Sequence, residues 1–196
     1  MRKLRSVFPV LGTAIAFAIS FRMLEQVIGV TSPWLWLLVM FYFLGIAKVA
    51  EPIFMLRMPA LLHGIRPKER SGDLYLKLGV HRFGKLLRNT PLRYLNPSVY
   101  IPRAQGDLSK LFQQTKSAEA THFWATVLFT PYIAFLFVAG QMGIASVFLL
   151  IQLLFNVYPI LHLRIVRARL ELIRDRRHER STRTNAHAGT SLNSTV

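Results

Sequence analysis

Glu119 and His122 stand three residues apart, where the polar, basic stretch Gln113–Ser117 gives way to a long apolar run beginning at Phe123. On a helix that spacing puts both on one face, at the depth where lipid headgroups end and acyl chains begin. A carboxylate beside an imidazole can fix its tautomer and raise its basicity, which suits deprotonation of an alcohol for attack on an acyl carbonyl. An ionisable pair at that depth is costly and faces protein or water, and it serves equally as a structural pair. Glu-x-x-His also ligates metal in di-iron bundles, but those use two such motifs with further carboxylates. This chain has one, so no metal site is expected.

A second set of candidates is Asn156, Arg164, Arg167 and Arg169. Asn156 sits inside an apolar run and needs a polar partner, either across helices or on a substrate. Helical spacing puts Asn156, Leu163 and Arg167 on one face, with Pro159 and Arg164 flanking it. The three arginines suit a phosphate group such as that of coenzyme A, and they also suit the headgroup anchor at the end of a membrane helix.

The elements that must position these residues are apolar helices. Hydrophobic residues make up 52% of 196, and 25 Lys and Arg face 9 Asp and Glu for a net charge of +16. A basic chain broken by apolar blocks meets anionic lipid rather than nucleic acid, for which no binding motif is present. With no cysteine, disulfides, thiolate nucleophiles and Cys-ligated metals are excluded.

The expected fold is all-α and integral to the membrane. Four transmembrane helices, about 7–28, 33–50, 121–139 and 144–163, form two hairpins. Met1–Arg5 and the apolar run after it have signal-peptide anatomy, with Ala16-Phe17-Ala18 as a cleavage pattern. A retained helix is the better reading, because Met23, Leu24, Val27 and Ile28 extend the apolar face. Thr31-Ser32-Pro33 caps the second helix, and Lys48 anchors its other end with Glu51 as a possible partner. Pro131 and Pro159 should kink the third and fourth helices.

Between helices two and three, residues 51–120 read as a basic interfacial segment on the cytoplasmic side. It includes an amphipathic helix over 73–87 broken at Gly79, and a helix from Asp107 able to run on through Glu119 and His122. Residues 1–183 form a single membrane domain, and 184–196 are too polar and small to fold alone. Basic residues cluster before helix one, in the central segment and after Arg164, which places both termini in the cytoplasm of a multi-pass protein.

Three blocks together resemble the glycosyl-4,4'-diaponeurosporenoate acyltransferase family of bacterial membrane proteins. They are Tyr75-x-x-Leu78-Gly79-Val80, then Gln114-Thr115-Lys116-x-Ala118-Glu119-x-x-His122-Phe123, and then Asn156-x-Tyr158-Pro159-Ile160 with Arg164, Arg167, Arg169 and Leu170. The likeness covers about residues 73–172. It departs where Leu163, Ile165 and Val166 stand in a block that commonly reads Gln-Arg-Tyr-Asn-Arg.

The resemblance implies transfer of a fatty acyl group from an acyl thioester, acyl-CoA, to a hydroxyl of a glycosylated isoprenoid, carotenoid or related lipid in the bacterial inner membrane. No bound cofactor is implied. His122 would be general base, oriented by Glu119, with Asn156 and the arginines binding substrate. Two other readings keep the fold: a different lipid-modifying transferase, such as a methyltransferase, or a non-catalytic scaffold of a lipid pathway.

Overall fold

The computed structural model describes residues 2–51, 53–66, 69, 73–91, 94 and 108–192. Among them the only regular structure is helical: α1 Arg2–Ile28, α2 Pro33–Ala50, a 3-10 turn Ala60–Leu62, α3 Asp73–Lys77, α4 Val80–Asn89, α5 Leu108–Val138, α6 Met142–Gln152, a π-helical turn Leu153–Val157, and α7 Tyr158–Leu192. Four stretches are long and apolar enough to cross a membrane: Val7–Ile28, Pro33–Ala50, Leu108–Val138 and Met142–Arg176. The all-α membrane fold read from the apolar runs is the fold observed.

Glycine ends these helices where the chain must turn back. Gly29, at φ 81°, closes α1 by donating its N–H to the Glu25 carbonyl at 2.9 Å. Pro33 then opens α2, its fixed φ suited to the first turn and its missing N–H no loss there. Ser32 is the N-cap residue but makes no side-chain cap bond. The turn after α5 is a Schellman motif on Gly140 at φ 73°, with Gln141 N–H donating to Leu136 at 2.9 Å and Gly140 N–H to Phe137 at 3.1 Å. Gly79, at φ 69°, breaks the amphipathic helix into α3 and α4 at the expected place.

The third membrane helix begins at Leu108 and runs on through Glu119 and His122, as the reading of a helix from Asp107 allowed, so both lie well inside one continuous rod although the apolar span was set at about 121. Two boundaries differ from the sequence reading. The fourth membrane helix runs on beyond 163 as α7, because propagating an existing helix costs far less than nucleating one. α7 reaches Leu192, into the stretch 184–196 whose composition suggested an unfolded tail. Asp107, the expected cap of α5, lies outside the described residues.

The chain divides into two compact units, Met1–Gly64 with Gln114–Leu163, and Ile65–Gln113 with Arg164–Val196. In the first, Leu37 and Met40 of α2, Phe129, Ile133 and Leu136 of α5, and Ala145 and Phe148 of α6 form the core. Lipid is as apolar as leucine, so shape and polar contacts select the packing here. Phe148 meets Trp34 edge-on with ring centroids 5.3 Å apart. α1 packs on α2, where Phe17 stacks on Tyr42 at 4.4 Å and the Ser20 and Tyr42 hydroxyls bond at 2.8 Å. Gly45 permits this approach, since a Cβ there would lie 2.9 Å from the Phe17 ring.

In the second unit Val80, Gly84 and Leu87 bury one face of α4 while Arg82, Lys85 and Arg88 stay exposed. Arg174 lies over the Phe112 ring, 5.7 Å from its centroid.

Candidate functional site

His122 projects from α5 as a half-buried ring whose Nδ1 lies 3.4 Å from Oδ1 of the fully buried Asn156. Asn156 Nδ2 donates to Gln152 Oε1 at 3.1 Å and points at the Met40 sulfur, also at 3.1 Å. Gln152 Nε2 donates to the Thr126 carbonyl at 3.1 Å and to Thr130 Oγ1 at 3.0 Å. The threonines turn their own hydrogens back along α5, Thr130 to the Thr126 carbonyl at 2.7 Å and Thr126 to the His122 carbonyl at 2.9 Å.

This chain of bonds has a direction, which assigns the histidine tautomer. A main-chain carbonyl only accepts, and the Thr130 hydrogen is already engaged, so Gln152 must present its NH₂ to both. Its oxygen then faces Asn156, which must in turn present its NH₂ and leave Oδ1 toward His122. An acceptor opposite Nδ1 requires the hydrogen there, so Nε2 carries the lone pair. The relay thus turns the Nδ1 hydrogen toward Asn156 and leaves Nε2 outside the relay.

Asn156 therefore faces the His122 ring that helical spacing had paired with Glu119. Glu119, one turn earlier on α5, is fully buried. The local backbone explains how Asn156 reaches the ring. Pro159 has no N–H for the carbonyl four residues back, that of Phe155, and the helix widens into the π turn Leu153–Val157 just ahead of it. The Phe155 carbonyl also lies against the His122 ring, and Lys48 stands within electrostatic reach of it. Lys48 holds Glu51 at 2.6 Å, the pairing left open by the sequence. Trp124 ties the stretch after α2 to α5 by donating its indole N–H to the Arg57 carbonyl at 2.9 Å.

Beside the relay, α2 and α5 enclose an apolar groove of about 590 Å³ lined by residues that include Trp36, Met40, Phe43, Ala125, Phe129 and Tyr132. Met40 belongs to both features, lining the groove and meeting Asn156.

The arginines fall in the second unit. Arg164 spends its fork on Glu69, with Nε to Oε1 and Nη2 to Oε2 both at 2.9 Å, so it is not the open phosphate ligand its spacing suggested. Glu69 also accepts from the Arg66 N–H at 2.7 Å and from the Tyr75 hydroxyl at 3.1 Å. Burial pushes the Glu69 carboxyl up, but the Arg164 fork, the Arg66 N–H and the Tyr75 hydroxyl outweigh it and hold it below the usual value. Burial, with Glu69 beside it, pushes the Tyr75 phenol up to about 12. Arg167 is almost wholly buried and Arg169 exposed.

Sequence reasoning missed Gln152, Thr126, Thr130, Met40 and Glu69. Four-residue steps were the signal for the relay: His122, Thr126 and Thr130 lie on one stripe of α5, and Gln152 and Asn156 repeat the interval on the facing helix. No such signal marks Glu69, which lies 95 residues from Arg164. Among the described residues no group of three His, Asp or Glu side chains could hold a metal.

Four apolar spans and a directed polar relay buried among them define an all-α integral membrane protein with a candidate base inside its helical bundle. The sequence profile of the glycosyl-4,4'-diaponeurosporenoate acyltransferase family matches residues 54–176, wider at both ends than the three blocks suggested. The chain belongs to that family. No curated protein and no solved structure matches it.

Proposed function

We propose that the protein transfers a fatty acyl group from an acyl thioester, acyl-CoA, to a hydroxyl of a glycosylated isoprenoid, carotenoid or related lipid. The observation that carries this reading is the relay that turns the His122 Nδ1 hydrogen toward Asn156, within the span of a family of acyltransferases. His122 Nε2 takes the hydroxyl proton as the oxygen attacks the acyl carbon. The carbon–sulfur bond then breaks, and the departing thiolate receives that proton. We assign the buried Glu119 to support of the imidazolium. Among the arginines of the second unit, exposed Arg169 is the one we keep for an anionic group, since Arg164 holds Glu69. The charge bias supports a bacterial inner-membrane location with both termini and the donor on the cytoplasmic side.

The test is acyl transfer in isolated membranes from labelled acyl-CoA to extracted lipid, with the wild type and His122→Gln at matched levels of inserted protein. Loss of a general base lowers the rate by about 10²–10⁴. An unchanged rate removes His122 from the chemistry. Labelled methyl donor run in parallel separates the methyltransferase reading, and a lipid extract unchanged by either donor supports the scaffold reading.

A further inference from the structure

We propose that the groove between α2 and α5 is the seat of the donor's acyl chain, and that Trp36 and Tyr132 set the chain length it accepts. This rests on the acyl-transfer reading of His122. The groove is walled by two helices apolar enough to span a membrane, which suits a hydrocarbon occupant. The residues lining it are apolar or aromatic, and the Trp36 indole N–H is already given to the Val30 carbonyl at 3.0 Å. A ligand there needs no polar group along its length. Its volume of about 590 Å³ lies within the range of small-ligand sites.

Two features set the groove beside the candidate base. Ala125, one helical turn beyond His122, lines it, and Met40 in its wall touches Asn156, the residue that faces the His122 ring. Only a molecule whose reacting atom is continuous with its hydrocarbon fits so short an interval. The acyl carbonyl meets that condition. In a glycoside acceptor a sugar separates the hydroxyl from the tail, so the acceptor's tail is placed elsewhere.

Trp36 and Tyr132, whose ring centroids lie 6.0 Å apart, line the groove, with Tyr132 ten residues along α5 from His122. From His122 to Tyr132 the helix rises about 15 Å at 1.5 Å per residue. An extended chain advances about 1.25 Å per carbon, because its 1.5 Å bonds are inclined to the axis, so roughly twelve carbons reach the aromatic pair. Longer chains must bend there or leave the groove toward lipid.

The experiment uses the full-length protein in lipid nanodiscs. Acyl-CoA bearing a diazirine near the twelfth carbon is photolysed on the wild type, and labelled peptides are mapped by mass spectrometry. Label on the segments bearing Trp36 and Tyr132, suppressed by excess unlabelled acyl-CoA, is expected. Label elsewhere, or label that excess donor does not suppress, overturns the proposal and marks the groove as filled by bulk lipid. In parallel, a panel of saturated acyl-CoA donors is offered to the wild type, Trp36→Ala and Ala125→Phe. Trp36→Ala is expected to move the preferred donor longer by two or more carbons, and Ala125→Phe to lower use of long donors at least tenfold relative to short ones. Wild-type transfer with unchanged profiles in both variants overturns the groove and leaves the activity standing. Specific labelling without transfer of any donor instead overturns the acyl-transfer reading and leaves the binding site.

Discussion

Asn156 Oδ1 faces His122 Nδ1 at 3.4 Å, and both are held by a relay whose far end is a main-chain carbonyl of α5. A carbonyl cannot rotate or change its role, so it anchors the direction of every bond that follows.

Replacing Asn156 with Leu removes the acceptor from Nδ1 and strands the Gln152 oxygen in a buried place. Leaving such groups unpaired costs about 1–3 kcal/mol. If most of that falls on the transition state, kcat drops about tenfold to a hundredfold. Asn156→Asp keeps an acceptor for Nδ1–H and should retain more activity than Asn156→Leu. Steady-state rates of both variants in membranes test this order.

Gln152 touches no part of the proposed substrate, so its influence should pass through the tautomer. Gln152→Leu frees the Asn156 amide to turn over, and the imidazole ¹⁵N shifts of His122 should change from a single Nδ1–H pattern to a mixture. kcat should fall with KM unmoved. Thr130→Val removes one of two acceptors for Gln152 Nε2 but leaves the Thr126 carbonyl, so its spectrum should stay close to wild type.

The Glu69 cluster predicts how the second unit responds to pH. The carboxyl of Glu69 is held below its ordinary value, so its stabilising contribution is complete above the ordinary carboxylate range and disappears as pH falls through the folded value. The Tyr75 phenol is raised from 10.0 to about 12, so its contribution is complete below 10 and disappears as pH rises between those values. Protection of the 73–89 amides from hydrogen exchange, corrected for intrinsic rates, should weaken at both extremes. Glu69→Gln should flatten the acid limb. Arg164→Lys should lower protection at neutral pH, because an ammonium cannot reproduce the fork.

Gly45→Ala would put a Cβ within 2.9 Å of the Phe17 ring. Overpacking of this kind costs about 1–3 kcal/mol, and Phe17→Leu on the same background should recover part of it. Unfolding titrations with a denaturing detergent in mixed micelles measure both changes.

The sequence by itself determined the helices and most of their ends. Bilayer thickness imposes a length on apolar runs, and Gly29, Gly79 and Gly140 supply backbone conformations that other residues resist. It also picked out His122 and Asn156, since a polar group inside a span must find a partner. Only the tertiary structure decided which partner each takes. Helical spacing is blind to the facing helix, so it matched His122 with Glu119 when the ring is held by Asn156 from across the bundle. It left Arg164 open to a phosphate when Glu69, far away in the chain, fills its fork. Local periodicity says which face a residue occupies, and packing decides what that face meets.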